Sequence, residues 1–178
     1  MSVSEKLAEL GIDLPTVATP AGAYVPAKQH GDLVYTAGQL PLVAGVLPTT
    51  GKVGEGSHQV APTDAKEYAR LSALNAIAAA ASVVGGVDNL TGVLKVTGFV
   101  ASVPEFTGQP GVINGASELL GDVFGEAGRH ARSAVGVPVL PGQPGRGRGR
   151  LHRRGVTTRP PRSSENRASF GPCERDVP

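Results

Sequence analysis

The sequence predicts an α+β fold, a mixed sheet with two helices on one face, and three observations point to it. Tyr68, Leu71, Leu74, Ile77, Ala78, Ala81 and Val84 recur at three- and four-residue spacing, which marks a long helix. Runs rich in β-branched and aromatic residues, around Leu33 to Tyr35, from Gly92 to Val103 and in "ARSAVGVPVL" from Ala131, mark strands. Their order, strand-strand-loop-helix-strand-helix-strand, suits a sheet whose helices lie on one side. The other face is then bare, and contiguous apolar surface is rarely left to water, so self-association is expected.

Taken along the chain, Leu7, Leu10 and Leu14 are spaced for a short opening helix that ends near Gly11. "AYVPAKQHGDLVYTAGQLP" follows as two extended runs joined by a turn at Gly31-Asp32, a hairpin. The Pro/Gly-rich stretch from Pro41 to Gly56 reads as a loop. Thr63 is placed to cap the long helix, and Gly85-Gly86 ends it. Its many alanines predict close packing, flat against a sheet. The run from Gly92 to Val103 predicts a buried strand, and a second helix is expected from about Val112 to Phe124, weakened by Gly115 and Gly121.

The 178 residues and 40% apolar content suffice for one domain with a real core. No run approaches the roughly 18 apolar residues needed to cross a bilayer, and "MSVSEKLAELG" lacks the basic-then-apolar order of a secretory signal. A soluble, cytoplasmic protein is expected. Cys173 is the single cysteine, which excludes an intramolecular disulfide and a thiolate metal cluster. His30, His58, His130 and His152 lack metal-site spacing, so no metal is expected.

The net charge of +2 hides an asymmetry. Residues 141–178 hold nine Arg against Glu165, Glu174 and Asp176, a balance of +6; residues 1–140 hold eight Lys/Arg against twelve Asp/Glu, a balance of −4. The first 141 residues are therefore read as the domain, and 142–178 as an Arg/Gly/Pro-rich tail too poor in large apolar side chains to offset chain entropy. Segments such as "GRGRGRLHRR" bind phosphate backbones nonspecifically, and nucleic acid is expected as a partner only in that incidental sense.

Two local patterns fail as motifs. "GVLPTTGKV" has five residues between Gly45 and Gly51 where a phosphate loop has four, and Val53 stands where a hydroxyl should be. "GEGSH" lacks the spacing of a serine elbow, and no Ser/His/Asp arrangement stands out. Arg132 is different, as the one arginine in a predicted strand of the domain. Its planar fork of donors calls for a carboxylate or phosphate, either a ligand's or that of Glu126, Glu118 or a neighbouring subunit. Asn114 reads as a helix cap and Tyr24 as half-buried packing.

"AYVPAKQHGDLVYTAGQLP", "INGASELLGDVFGEAG" and "HARSAVGVPVLP", in this order around the alanine-rich helix, resemble the RidA/YjgF family, also called endoribonuclease L-PSP, in its YjgF/chorismate-mutase-like branch. The resemblance covers about residues 1–141. It implies a chorismate-mutase-like fold assembled as a homotrimer with ligand clefts between subunits. It also implies an enamine/imine deaminase: the arginine of the "ARS" strand, here Arg132, grips the carboxylate of a small 2-imino or 2-enamino acid, and water releases a 2-oxo acid and ammonia. Tyr24 matches the tyrosine beside the cleft, and Asn114 the asparagine opening the second helix. No cofactor is called for, because an imine is already electrophilic. A metabolite-binding trimer without catalysis, or an RNA-binding or endoribonuclease-like protein, are the alternatives. Gly136 stands where the deaminating members often carry an acid, and the family's final strand, with its water-positioning glutamate, is absent.

That absence has a genetic reading. Regrouping the codons of residues 143–157 by one base permits "NPVEVEVAFIVEV" followed by a stop. The permitted string alternates like a strand and carries glutamates. The tail is therefore read as an out-of-frame version of the final strand.

Overall fold

Ser2 opens helix α1 (Val3–Glu9) with a reciprocal cap: its hydroxyl accepts from the Glu5 amide at 3.2 Å, and the Glu5 carboxylate accepts from the Ser2 amide at 2.8 Å. The structure, a computed structural model, describes residues 1–141. The expectations for residues 142–178, an arginine-rich tail and a displaced final strand, lie outside the described residues. Helix α1 ends two residues before Gly11, and of the three leucines that predicted it only Leu7 is buried within it. Leu14 packs on the core from the segment beyond.

The hairpin forms as expected. β1 (Ala27–His30) pairs antiparallel with β2 (Leu33–Thr36), with His30 opposite Leu33 and a positive φ at Gly31 that only glycine adopts freely. The loop beyond it is tied back at Val53, which bridges both Val60 and Ser102.

Helix α2 (Pro62–Val84) starts from Ala61, not Thr63. Pro62 takes the first helical position, where its missing N–H costs nothing and its fixed φ suits the helix, and no side chain caps the end. At the other end Gly85 adopts the left-handed conformation, φ 78°, that the Gly-Gly signal predicted. The alanines make close packing possible, but the principal neighbour of α2 is the second long helix, not a sheet.

That second helix, α3 (Gln109–Phe124), begins three residues earlier than its apolar spacing suggested, because Gln109 and Pro110 form its first turn. Val112, Ile113, Ala116, Leu119, Leu120 and Val123 are buried along one side. Gly115 permits the close approach of the helices: a Cβ there would collide with the Lys66 carbonyl of α2. The Lys66–Glu118 ion pair, 2.8 Å, closes the same contact at the surface.

Between the helices runs β3 (Lys95–Ala101), and after α3 comes β4 (Ala131–Val137). The two pair in parallel, Val96 opposite Arg132 and Phe99 opposite Val135. A Cβ on Gly98 would strike Ile113, so the even-numbered positions of β3 face α3. The odd ones face away, which leaves Phe99 53% and its register partner Val135 45% exposed. The stretch from Gly92 to Val103 is thus half-buried, not the fully buried strand expected. The mixed α+β character holds, with one difference from a single sheet: the described residues form two separate strand pairs, β1–β2 and β3–β4. No helix of the described residues is long and apolar enough to cross a membrane.

Candidate active site

Helix α3 and strand β4 place their polar side chains around one cleft. Arg132 is the second residue of β4, and its register partner Val96 shows that it points toward α3. There its Nη1 donates to Asn114 Oδ1 at 2.7 Å and to Ser117 Oγ at 3.1 Å. Asn114 and Ser117 are three residues apart on α3, so they share a face. Asn114 is not the cap that its type suggested. Because α3 starts at Gln109, the residue lies well inside the helix, where its amide anchors the guanidinium.

The carboxylates that could have neutralised Arg132 are occupied elsewhere. Glu126 pairs with Arg129 at 3.0 Å, and Glu118 with Lys66. Among the described residues no carboxylate pairs with Arg132, so its charge is met by two neutral oxygens only.

His130, just before β4, extends the network. Its Nδ1 lies 2.6 Å from the Gly128 carbonyl and its Nε2 lies 3.1 Å from Ser117 Oγ. A carbonyl only accepts, so Nδ1 carries the proton; in the neutral ring Nε2 is then a free acceptor, and Ser117 donates its hydroxyl proton to it. The chain of bonds runs from Gly128 C=O through His130 to Ser117 and on to Arg132.

A cavity of about 330 Å³ opens over this network, lined by Ser117, Gly121, Gly128, Arg129, His130 and Arg132. The two glycines keep its floor low. A Cβ on Gly121 would meet nothing, and one on Gly128 would strike the Leu120 carbonyl, so Gly128 is also required for packing.

Of the three residues singled out in the sequence, Arg132 and Asn114 come together and Tyr24 does not. Tyr24 is 54% exposed, and among the described residues no hydrogen bond of its side chain joins it to the cleft. Ser117 and His130 were missed. They stand thirteen residues apart with no motif spacing, and only the helix-to-strand path brings them into contact. Gly136, two register positions along the α3-facing side from Ala134, lies under Gln109 and Ser102, whose polar atoms a Cβ would approach to 2.8 and 2.9 Å. Gly136 is exposed, and a side chain at that position requires the Gln109 amide and the Ser102 hydroxyl to shift.

Residues 4–144 match the model of a family described as "YjgF/chorismate_mutase-like, putative endoribonuclease". The chain is 42% identical over 142 residues to Protein TCP17 of Trypanosoma cruzi, an alignment covering 78% of this chain and 86% of that one. Its fold is similar to the crystal structure of a "putative endoribonuclease" from Shewanella oneidensis, at a TM-score of 0.74 and 31% identity over 79% of this chain and 91% of that one. It is also similar to Atu1372 of Agrobacterium tumefaciens, a structure of unknown function, at a TM-score of 0.68 and 42% identity over 80% and 85% of the two chains.

Proposed function

Since the chain belongs to the YjgF/chorismate mutase-like family, we propose that its cleft is that of an enamine/imine deaminase, hydrolysing a small 2-imino or 2-enamino acid to a 2-oxo acid and ammonia. One observation carries this reading: Arg132 presents a guanidinium to the cavity without a carboxylate partner among the described residues. Its Nη1 is fixed by Asn114 and Ser117, which leaves the other N–H groups of the fork for an incoming carboxylate. Holding that group orients the adjacent imine carbon for attack by water, and orientation is the main contribution needed for a species that hydrolyses unaided.

The exposed Phe99 and Val135 support self-association, and a homotrimer with clefts between subunits is the form of it that the family resemblance implies. In such an assembly Tyr24, which stands outside the cleft of its own chain, is available to a neighbour's. Light scattering coupled to gel filtration tests the oligomer: a monomer across micromolar concentrations contradicts it.

The test of the activity is ammonia release from freshly generated 2-iminobutanoate or 2-iminopropanoate. Acceleration above the spontaneous rate supports it. No acceleration, with carboxylate binding retained, supports the second reading, a metabolite-binding protein without turnover. That reading is favoured by a specific feature: among the described residues the cavity lining contains no carboxylate to position a water.

A further inference from the structure

Imine hydrolysis as described uses Arg132 and a water, and leaves the Ser117–His130 contact without a role. Serines inside helices commonly bond back to a carbonyl of the preceding turn, as Ser72 does to Tyr68 at 2.9 Å and Ser82 to Ala79 at 2.8 Å in α2. Ser117 does not. Its hydroxyl donates across to His130 Nε2 and accepts from Arg132. His130 in turn is held in one tautomer by the Gly128 carbonyl. A hydroxyl within hydrogen-bond reach of a base that a third group orients is the arrangement of an activated nucleophile. The neighbouring guanidinium favours negative charge on Oγ and on any oxygen that develops beside it. Ser117 lines the cavity, and Gly121, one turn further along, leaves the approach open.

We propose that the cleft is also an acyl-transfer site, in which Ser117 is the nucleophile and His130 its general base, acting on a small carboxylic ester. Oγ bonds to the carbonyl carbon as its proton passes to His130 Nε2, and the carbonyl electron pair moves onto oxygen beside Arg132. Collapse of that adduct breaks the bond to the alkoxy oxygen, which takes the proton from His130 and leaves as the alcohol. Water then adds to the acyl-serine, giving a proton to Nε2; the C–Oγ bond breaks and Oγ recovers that proton. The sum is ester plus water giving acid plus alcohol, with no further reactant.

The experiment treats the full chain with a fluorophosphonate, which phosphonylates activated serines, and maps the adduct by peptide mass spectrometry. The expected result is one adduct, on Ser117, absent in Ser117→Ala and formed about a hundredfold or more slowly in His130→Gln, in keeping with the loss of a general base. No adduct on the wild-type chain overturns the proposal, as does an adduct on another residue or an undiminished rate in His130→Gln. The wild-type mapping decides by itself if a variant fails to fold. The outcome is separate from imine hydrolysis: labelling at Ser117 without ammonia release removes the deaminase and keeps the acyl-transfer site, and the reverse result does the opposite.

Discussion

Arg132 and Asn114, eighteen residues apart, are joined by a 2.7 Å hydrogen bond from Nη1 to Oδ1 that pins the start of β4 to the second turn of α3. The bond fixes one arm of the guanidinium and so sets the direction in which the others face. Lysine cannot reproduce this, having a single point of charge and no fork. Arg132→Lys is expected to lower kcat/KM for imine hydrolysis by about a hundredfold, since each charged hydrogen bond contributes about 1.5–3 kcal/mol. Circular dichroism is expected to be unchanged. Wild-type rates in this variant would remove Arg132 from the mechanism.

Asn114→Ala tests the anchor. The side chain is exposed, so its loss leaves the core intact, and the melting temperature is expected to move by no more than a few degrees. The freed guanidinium samples more rotamers, and kcat/KM is expected to fall about tenfold by the same hydrogen-bond magnitude. A variant as active as the parent would show that Ser117 alone holds Arg132 in place.

Gly115→Ala addresses the helix contact. The added methyl meets the Lys66 carbonyl, which is backbone and cannot swing aside, so α2 and α3 must separate. Overpacking of this kind costs about 1–3 kcal/mol. Thermal unfolding is expected to fall by about 2–8 °C for each kcal/mol, and an unchanged midpoint would contradict the close approach.

Acid sensitivity is expected at the first helix. Asp88 accepts from the Ser4 amide and the Ser4 hydroxyl, each at 2.7 Å, and the amide bond above all, followed by the hydroxyl, holds its carboxyl below the ordinary aspartate range. A pKa lowered by folding stabilises the folded state above the unfolded value, and that contribution disappears as pH falls through the folded one. Hydrogen exchange at the Ser4 amide is therefore expected to lose protection in acid before the core does. Asp88→Ala should remove that protection already at neutral pH; equal protection in the two chains would rule the contact out.

The codon regrouping is checked by building it. A chain in which "NPVEVEVAFIVEV" replaces the sequence after Gly142 is expected to be more soluble and to melt higher than the present one. Each well-buried Val, Ile or Phe contributes about 1.5–3 kcal/mol. Equal melting of the two chains would count against the shifted frame.

The hairpin turn at Gly31, the end of α2 at Gly85 and the strand around Arg132 were legible because each rests on local chemistry: a positive φ, a left-handed cap, a β-branched run. Thr63 misled because Pro62 captures the first helical position before a hydroxyl can cap it. Asn114 misled for a related reason, since the Gln109-Pro110 start is not signalled by apolar spacing. The Ser117–His130 contact was invisible because it depends on how far α3 runs before the chain turns back, which no local pattern encodes.

The four side chains of the hydrogen-bonded network, Asn114, Ser117, His130 and Arg132, fall between residues 114 and 132, within the single unit formed by α3 and the parallel strands it connects. Closing so short a stretch costs little chain entropy. The network is therefore assembled by one excursion of the backbone, and none of its hydrogen bonds involves the hairpin or the amino terminus. A mutation need only preserve this crossover for the constellation to be inherited intact.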